Sequence, residues 1–178
     1  MVNDSSPQRC SELSAQPPSG ASRRPGTAEM PEYIDRLIRS EPFAVLCTQG
    51  DGQPYGSVVA LAPDPDLRSL VFATSVDTHK YRLLTQCTRV AIVIDSRPSR
   101  ADDILQGEAL TVTGVAEQVE RGVEHDRLSG LLASRHPRLT QFVAEPGTAL
   151  FRVWIGACTS VNRFQSVIHW SSTPGTTP

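Results

Sequence analysis

The sequence predicts a mainly β protein with short helices, an antiparallel split β-barrel of six to seven strands. Three observations carry this. Seven short segments are rich in aliphatic, β-branched and aromatic residues, with turn residues between most of them. Only four stretches have helical spacing, too few to cover both faces of a doubly wound sheet. Gly114 interrupts the longest strand pattern, and a glycine there marks a bulge or bend of the kind that lets a sheet close on itself.

Residues 1–29 are rich in Ser, Pro, Gly, Gln and Arg; so little apolar surface cannot offset the entropy of ordering, and a disordered tail is expected. The folded domain spans 30–170. Pro31 suits a first helical turn, and Ile34, Leu37 and Ile38 share one face of a helix over 32–40 that stops before Pro42. The apolar run 43–48 is a buried strand, Gly50-Asp51-Gly52 a turn, and 55–62 the returning strand of a hairpin. Pro63-Asp64-Pro65-Asp66 is a loop before a third strand at 69–74. Asp77 is the expected N-cap of a helix over 78–86, with Tyr81, Leu83 and Leu84 turned inward. Residues 89–95, containing Val90-Ala91-Ile92-Val93-Ile94, are apolar enough only for a central strand. A polar loop over 96–106 precedes the long strand at 109–119. Helical spacing returns over 121–135, is stopped by His136-Pro137, and resumes briefly at 139–143. Strands at 149–157 and 159–168 complete the set, and 171–178 is a loose C-terminus. Strands joined by short turns should pair antiparallel.

The chain has 178 residues, 39% of them hydrophobic and 20% charged, which fits one globular domain. A formal charge of -2 leaves no broad positive field to attract nucleic acid or an anionic membrane surface. No apolar run approaches the roughly 18 residues of a membrane span. The first residues lack the basic and apolar regions of a signal peptide, so a cytoplasmic location is expected. The four cysteines form no C-x-x-C pair and read as reduced, structural thiols; the four histidines have no metal-ligand spacing, so no metal site is expected. The G-x-S-x-G elbow, the dinucleotide-binding G-x-G-x-x-G and the P-loop are all missing from the sequence. What remains is the junction Phe72-Ala73-Thr74-Ser75-Val76-Asp77-Thr78-His79-Lys80. A helix N-terminus presents unpaired N–H groups at the positive end of its dipole. Here it carries a hydroxyl, an imidazole and an ammonium, all able to hold a phosphate.

The segments Phe43-Ala44-Val45-Leu46-Cys47-Thr48, Gly52-Gln53-Pro54-Tyr55-Gly56-Ser57-Val58-Val59, Leu70-Val71-Phe72-Ala73-Thr74-Ser75, Thr78-His79-Lys80-Tyr81-Arg82-Leu83-Leu84 and Arg89-Val90-Ala91-Ile92-Val93 stand in a telling order and spacing. Together they resemble the FMN-binding split-barrel family named for pyridoxamine 5'-phosphate oxidase. The resemblance runs from about Met30 to Ile168, and the ending Ser160-Val161-Asn162-Arg163-Phe164-Gln165-Ser166-Val167 resembles a flavin-binding subgroup.

That resemblance implies a homodimer with FMN at its interface. His79 and Lys80 would hold the FMN phosphate, with Thr78 beside them and Thr74 near the ribityl phosphate. Ser57, Val58, Val59 and Ala60 would form the wall beside the isoalloxazine, offering backbone groups; Arg163, in the final strand, either reaches FMN across the dimer or flanks the sheet edge. His79 stands where the family usually has arginine, and is a pH-dependent partner. The oxidase proper has arginine and lysine where this chain has Ser57 and Ala62, so the activity that names the family is expected to be absent.

The expected function is therefore an FMN-binding oxidoreductase that passes a hydride or electrons to a small molecule, with NAD(P)H as candidate reductant and no catalytic residue assigned. Two alternatives accompany it. One places deazaflavin F420 or haem in the same barrel; a C-terminal histidine, here His169, is the axial ligand in haem-degrading relatives of the fold. The other is a non-enzymatic flavin-binding or sensing module.

Overall fold

A computed structural model describes residues 30–50, 52–96, 107–162 and 166–171. The tail expected over 1–29, most of the polar loop, Arg163 and the end beyond 171 lie outside them. Helix α1 (Glu32–Ser40) leads into the hairpin of β1 (Phe43–Gly50) and β2 (Gln53–Ala60). The short β3 (Ala62–Pro63), β4 (Ser69–Ser75), α2 (His79–Gln86), β5 (Arg89–Asp95) and β6 (Glu108–Gln118) follow. Then come α3 (Val123–Arg135), a 3-10 turn at Pro137–Leu139, α4 (Thr140–Ala144), β7 (Thr148–Asn162) and β8 (Ser166–Ser171). All pairings are antiparallel, in one sheet of order β2-β1-β5-β6-β7-β4-β3 with β8 beside β7. The sheet curls into a half-barrel consistent with the expected split barrel.

The alternation of β1 and β5 buries every second residue, so that one face of each strand lines the inside of the curl. There Leu46, Phe72 and Ile92 meet Ile34, Leu37 and Ile38 of α1, the face read from helical spacing. Each side chain of this kind, fully buried, contributes about 1.5–3 kcal/mol. Strand β4 is apolar on both faces because a second cluster, built from Leu128 and Leu132 of α3 and Val143 near the end of α4, covers Val71 and Leu150 from outside. Arg135 ties the two layers together: its guanidinium donates to the carbonyls of Ile38, Arg39 and Glu41 at 3.3, 2.9 and 2.7 Å, satisfying the end of α1.

Gly114 is a bulge, as expected. The β6/β7 register slips between Thr113 and Gly114, which pair with Ala157 and Ile155. A Cβ at Gly114 would stand 2.1 Å from the carbonyl oxygen of Trp154, so the close approach admits only glycine.

Four readings need correction. The expected break between strands at 157 and 159 does not exist: β7 continues to Asn162, because its pairing with β6 absorbs Gly156 and resumes through Cys158 and Thr159. The last strand is Ser166–Ser171. Strand 55–62 ends at Ala60, where Leu61 turns to donate to Pro42 O at 3.0 Å and Ala62–Pro63 crosses to β4. Helix α2 is capped by Thr78, not Asp77: Thr78 has extended backbone angles and its Oγ1 accepts from Tyr81 N at 3.3 Å. Finally, Cys47 and Cys158 are free thiols, the latter pushed up to about 12 by burial, but Cys87 is disulfide-bonded.

Candidate functional site

The end of β4 and the start of α2 form a compact polar turn. Thr74 is 3% exposed and its Oγ1 lies 2.9 Å from Thr78 Oγ1. Thr78 in turn donates to Ser75 O at 2.8 Å, while its backbone N–H reaches the same carbonyl at 3.2 Å. With Tyr81 N bonded to the Thr78 hydroxyl and Arg82 N to the Thr78 carbonyl, the amides of His79 and Lys80 are left without partners among the described residues.

The side chains of the first turn are basic or aromatic, with Asp77 just before the cap. No acidic residue occupies the first turn of α2. Lys80 is half-buried, and among the described residues nothing pairs with its ammonium. Arg82 is exposed, its guanidinium 3.4 Å from His79 Nδ1. The His79 ring meets Tyr55 edge-on, centroids 4.8 Å apart at 87°, which brings β2 against the start of the helix.

Strand alternation sorts the predicted β2 residues. Ser57 and Val59 share the face of Tyr55, whereas Val58 and Ala60 point to the opposite face. Ser57 Oγ is inaccessible to solvent and has no hydrogen-bond partner among the described residues. Val59 is 4% exposed and belongs to the core, so only its backbone is available; Val58 is 68% exposed on the far side. Thr74, Thr78, His79 and Lys80 are thus gathered in one place, Tyr55 is the β2 residue in contact with them, and Arg163 lies outside the described residues. Tyr55 and Arg82 were not singled out from the sequence. Both carried a signal: Tyr55 is one strand period from Ser57, and Arg82 is three residues after His79, on the same helix face.

Unpaired amides and an unneutralised ammonium suit a phosphate-bearing cofactor. An open cleft of about 510 Å³ lies elsewhere, lined by Cys47, Gln49, Pro54, Arg89, Ala91 and Thr113 among others, the odd-numbered ones on the outward face of the sheet. Among the described residues no group of three His, Cys, Asp or Glu side chains converges on a metal position, and no described helix is long and apolar enough to cross a membrane.

The model of the pyridoxamine 5'-phosphate oxidase family matches residues 30–161. The chain belongs to that family. Solved structures share the fold of this pyridoxamine 5'-phosphate oxidase family member at low identity. A haem-binding protein from Mycobacterium smegmatis superposes with a TM-score of 0.70 at 21% identity, over 85% of this chain and 60% of that one. For the haem storage protein of Vibrio cholerae the TM-score is 0.61 at 19% identity, over 70% and 88%. An FAD-binding protein from Mesorhizobium loti gives 0.59 at 17%, over 72% and 90%. No curated protein matches the sequence. Flavin- and haem-binding proteins therefore both occur among the structural neighbours.

Proposed function

We propose that this family member binds FMN, anchoring the phosphate at the start of α2, and serves as a flavin-dependent oxidoreductase acting on a small molecule. The observation that carries the reading is the acid-free first turn of α2, with two free amides and an unpaired Lys80. Thr78 holds the turn, His79 and Lys80 face the phosphate, and Thr74 buttresses Thr78 from the end of β4. Bound FMN would supply hydride or electron transfer; the chain's own residues position it and neutralise its charge. Ser57 and Ala62 lack the charges the oxidase proper carries at these positions, which argues against pyridoxal phosphate formation. A homodimer in the cytoplasm, with NAD(P)H as reductant, completes the reading. Phe43, Val45 and Val58, 57%, 38% and 68% exposed, stand on one outward face of β1 and β2 and support self-association.

The test is spectroscopic. Protein mixed with FMN and freed of excess ligand should retain the two visible flavin bands, and NADPH should bleach them. A colourless protein overturns the reading, and a band characteristic of F420 after incubation with that cofactor reassigns the site. Lys80→Ala should weaken FMN binding by about 1–3 kcal/mol, the scale of a lost charge-assisted hydrogen bond. An unchanged dissociation constant in a fluorescence titration would place Lys80 outside the site.

One observation favours a second reading, haem. His169 on β8 is exposed and its Nδ1 lies 2.9 Å from Thr159 Oγ1, an arrangement that fixes the ring and leaves Nε2 without a partner among the described residues, as a metal ligand would need. An intense Soret band on adding hemin, without retention of FMN, would select it.

A further inference from the structure

We propose that Cys87 is joined to Cys10 by a reducible disulfide that ties the N-terminal segment to the end of α2. The inference is independent of the cofactor reading. Cys87 is disulfide-bonded, whereas Cys47 and Cys158 are free thiols. The chain has four cysteines, so within one molecule the partner is Cys10. Residues 11–29 separate Cys10 from the folded domain, and a stretch of that length reaches up to about 60 Å when extended, more than the diameter of such a domain.

The setting of Cys87 makes the bond a switch rather than a fixed staple. Cys87 is the C-cap of α2, its backbone N–H bonded to Leu83 O at 2.9 Å, and it is 5% exposed. Gln49 Nε2, from β1, donates to its sulfur at 3.5 Å. A donor aimed at sulfur stabilises the thiolate, which makes Cys87 the better leaving group of the pair. Reduction then has a defined course. The thiolate of a small reductant attacks Cys10 Sγ, the sulfur–sulfur bond breaks, and its electron pair leaves with Cys87 beside the Gln49 amide. A second reductant thiolate resolves the mixed disulfide, so two reductant thiols become one disulfide while Cys10 and Cys87 gain the two electrons and two protons. A low-molecular-weight disulfide re-oxidises the pair by the reverse steps. In the cytoplasmic setting proposed above, disulfides are chiefly of this transient, sensing kind. Gln49 and Arg89, on either side of Cys87, also line the open cleft, so the tie fixes the N-terminal segment at the edge of that cleft.

The experiment uses the full chain, equilibrated with oxidised glutathione, alkylated in denaturant and digested without reductant. The tie predicts one cross-linked peptide pair containing Cys10 and Cys87, with Cys47 and Cys158 alkylated. Arg23 gives trypsin a cut between Cys10 and the folded domain. After limited digestion of native protein, the fragment carrying Cys10 should stay with the domain until reductant is added. In Cys10→Ser, which leaves the described residues untouched, that fragment should separate at once, and Cys47→Ser should behave as wild type. A Cys87 that is alkylated in wild type, or joined to glutathione or to a second chain, overturns the tie. Native protein in mixtures of reduced and oxidised glutathione should pass between the two forms without denaturant, and Gln49→Ala should slow reduction about tenfold. A bond that opens only in denaturant, or a wild-type rate in Gln49→Ala, overturns the switch.

Discussion

Arg127 holds two carboxylates in one fork, Asp64 at 3.0 Å through both terminal nitrogens and Glu124 at 2.8 and 2.9 Å. The hydrogen bonds from Arg127 keep the Asp64 carboxyl below its ordinary range. A carboxyl whose folded value is depressed stabilises the protein above its unfolded value, and the contribution disappears as pH falls through the folded value. Asp64→Asn should therefore lower the unfolding free energy by about 1 kcal/mol at neutral pH, where the side chain is only 14% exposed. Urea denaturation at pH 7 and again below about pH 4 should show that difference shrinking toward zero. A difference independent of pH would assign the effect to packing. At this scale the sequence was partly readable. Asp77 and Thr78 are both good caps, and composition cannot choose between neighbours; the choice falls to whichever has extended backbone angles and a hydroxyl aimed at Tyr81 N.

Helix α1 and strand β5 were legible because their apolar periods are unbroken. Strand β7 was not, because Gly156, Cys158 and Thr159 look like an interruption when the partner strand is unknown. Pairing with β6 carries the chain through that stretch. The same strand pair yields a prediction. Gly114→Ala would press a methyl group against the Trp154 carbonyl, a backbone atom that cannot swing aside, and should destabilise the fold by about 1–3 kcal/mol. Thermal unfolding would show it as a drop of several degrees, roughly 2–4 °C per kcal/mol for a domain of this size. An unchanged midpoint would mean that the bulge can reopen. The candidate site was legible for a related reason: its residues are contiguous from Thr74 to Lys80. Tyr55 joins it only through tertiary packing that no local period reveals.

Antiparallel pairing followed from short turns, but sheet order did not, and the sheet has eight strands where six to seven were expected, because the two-residue β3 is too short to leave a pattern. Nothing local announces that β4 leaves its hairpin neighbours to lie beside β7, or that β5 returns to β1. The outward face bearing Phe43, Val45 and Val58 belongs to this scale too. If it is covered by a second copy, Val58→Glu should convert a dimer into a folded monomer in sedimentation velocity, with little change in monomer stability because the side chain is 68% exposed. A wild-type protein that sediments as a monomer would rule that out.

Strand β7 carries one further implication, for synthesis on the ribosome. It pairs with β6 along one edge and with β4 and then β8 along the other. Strand β4 has only the two-residue β3 beside it until β7 arrives, and β7 begins at Thr148. A nascent chain therefore carries Leu70, Val71 and Phe72 on an unmatched strand while residues 76–147 are made. The barrel can be finished only when the final segment emerges, so folding is governed by long-range pairing and is slow, with a window open to aggregation and to chaperone capture.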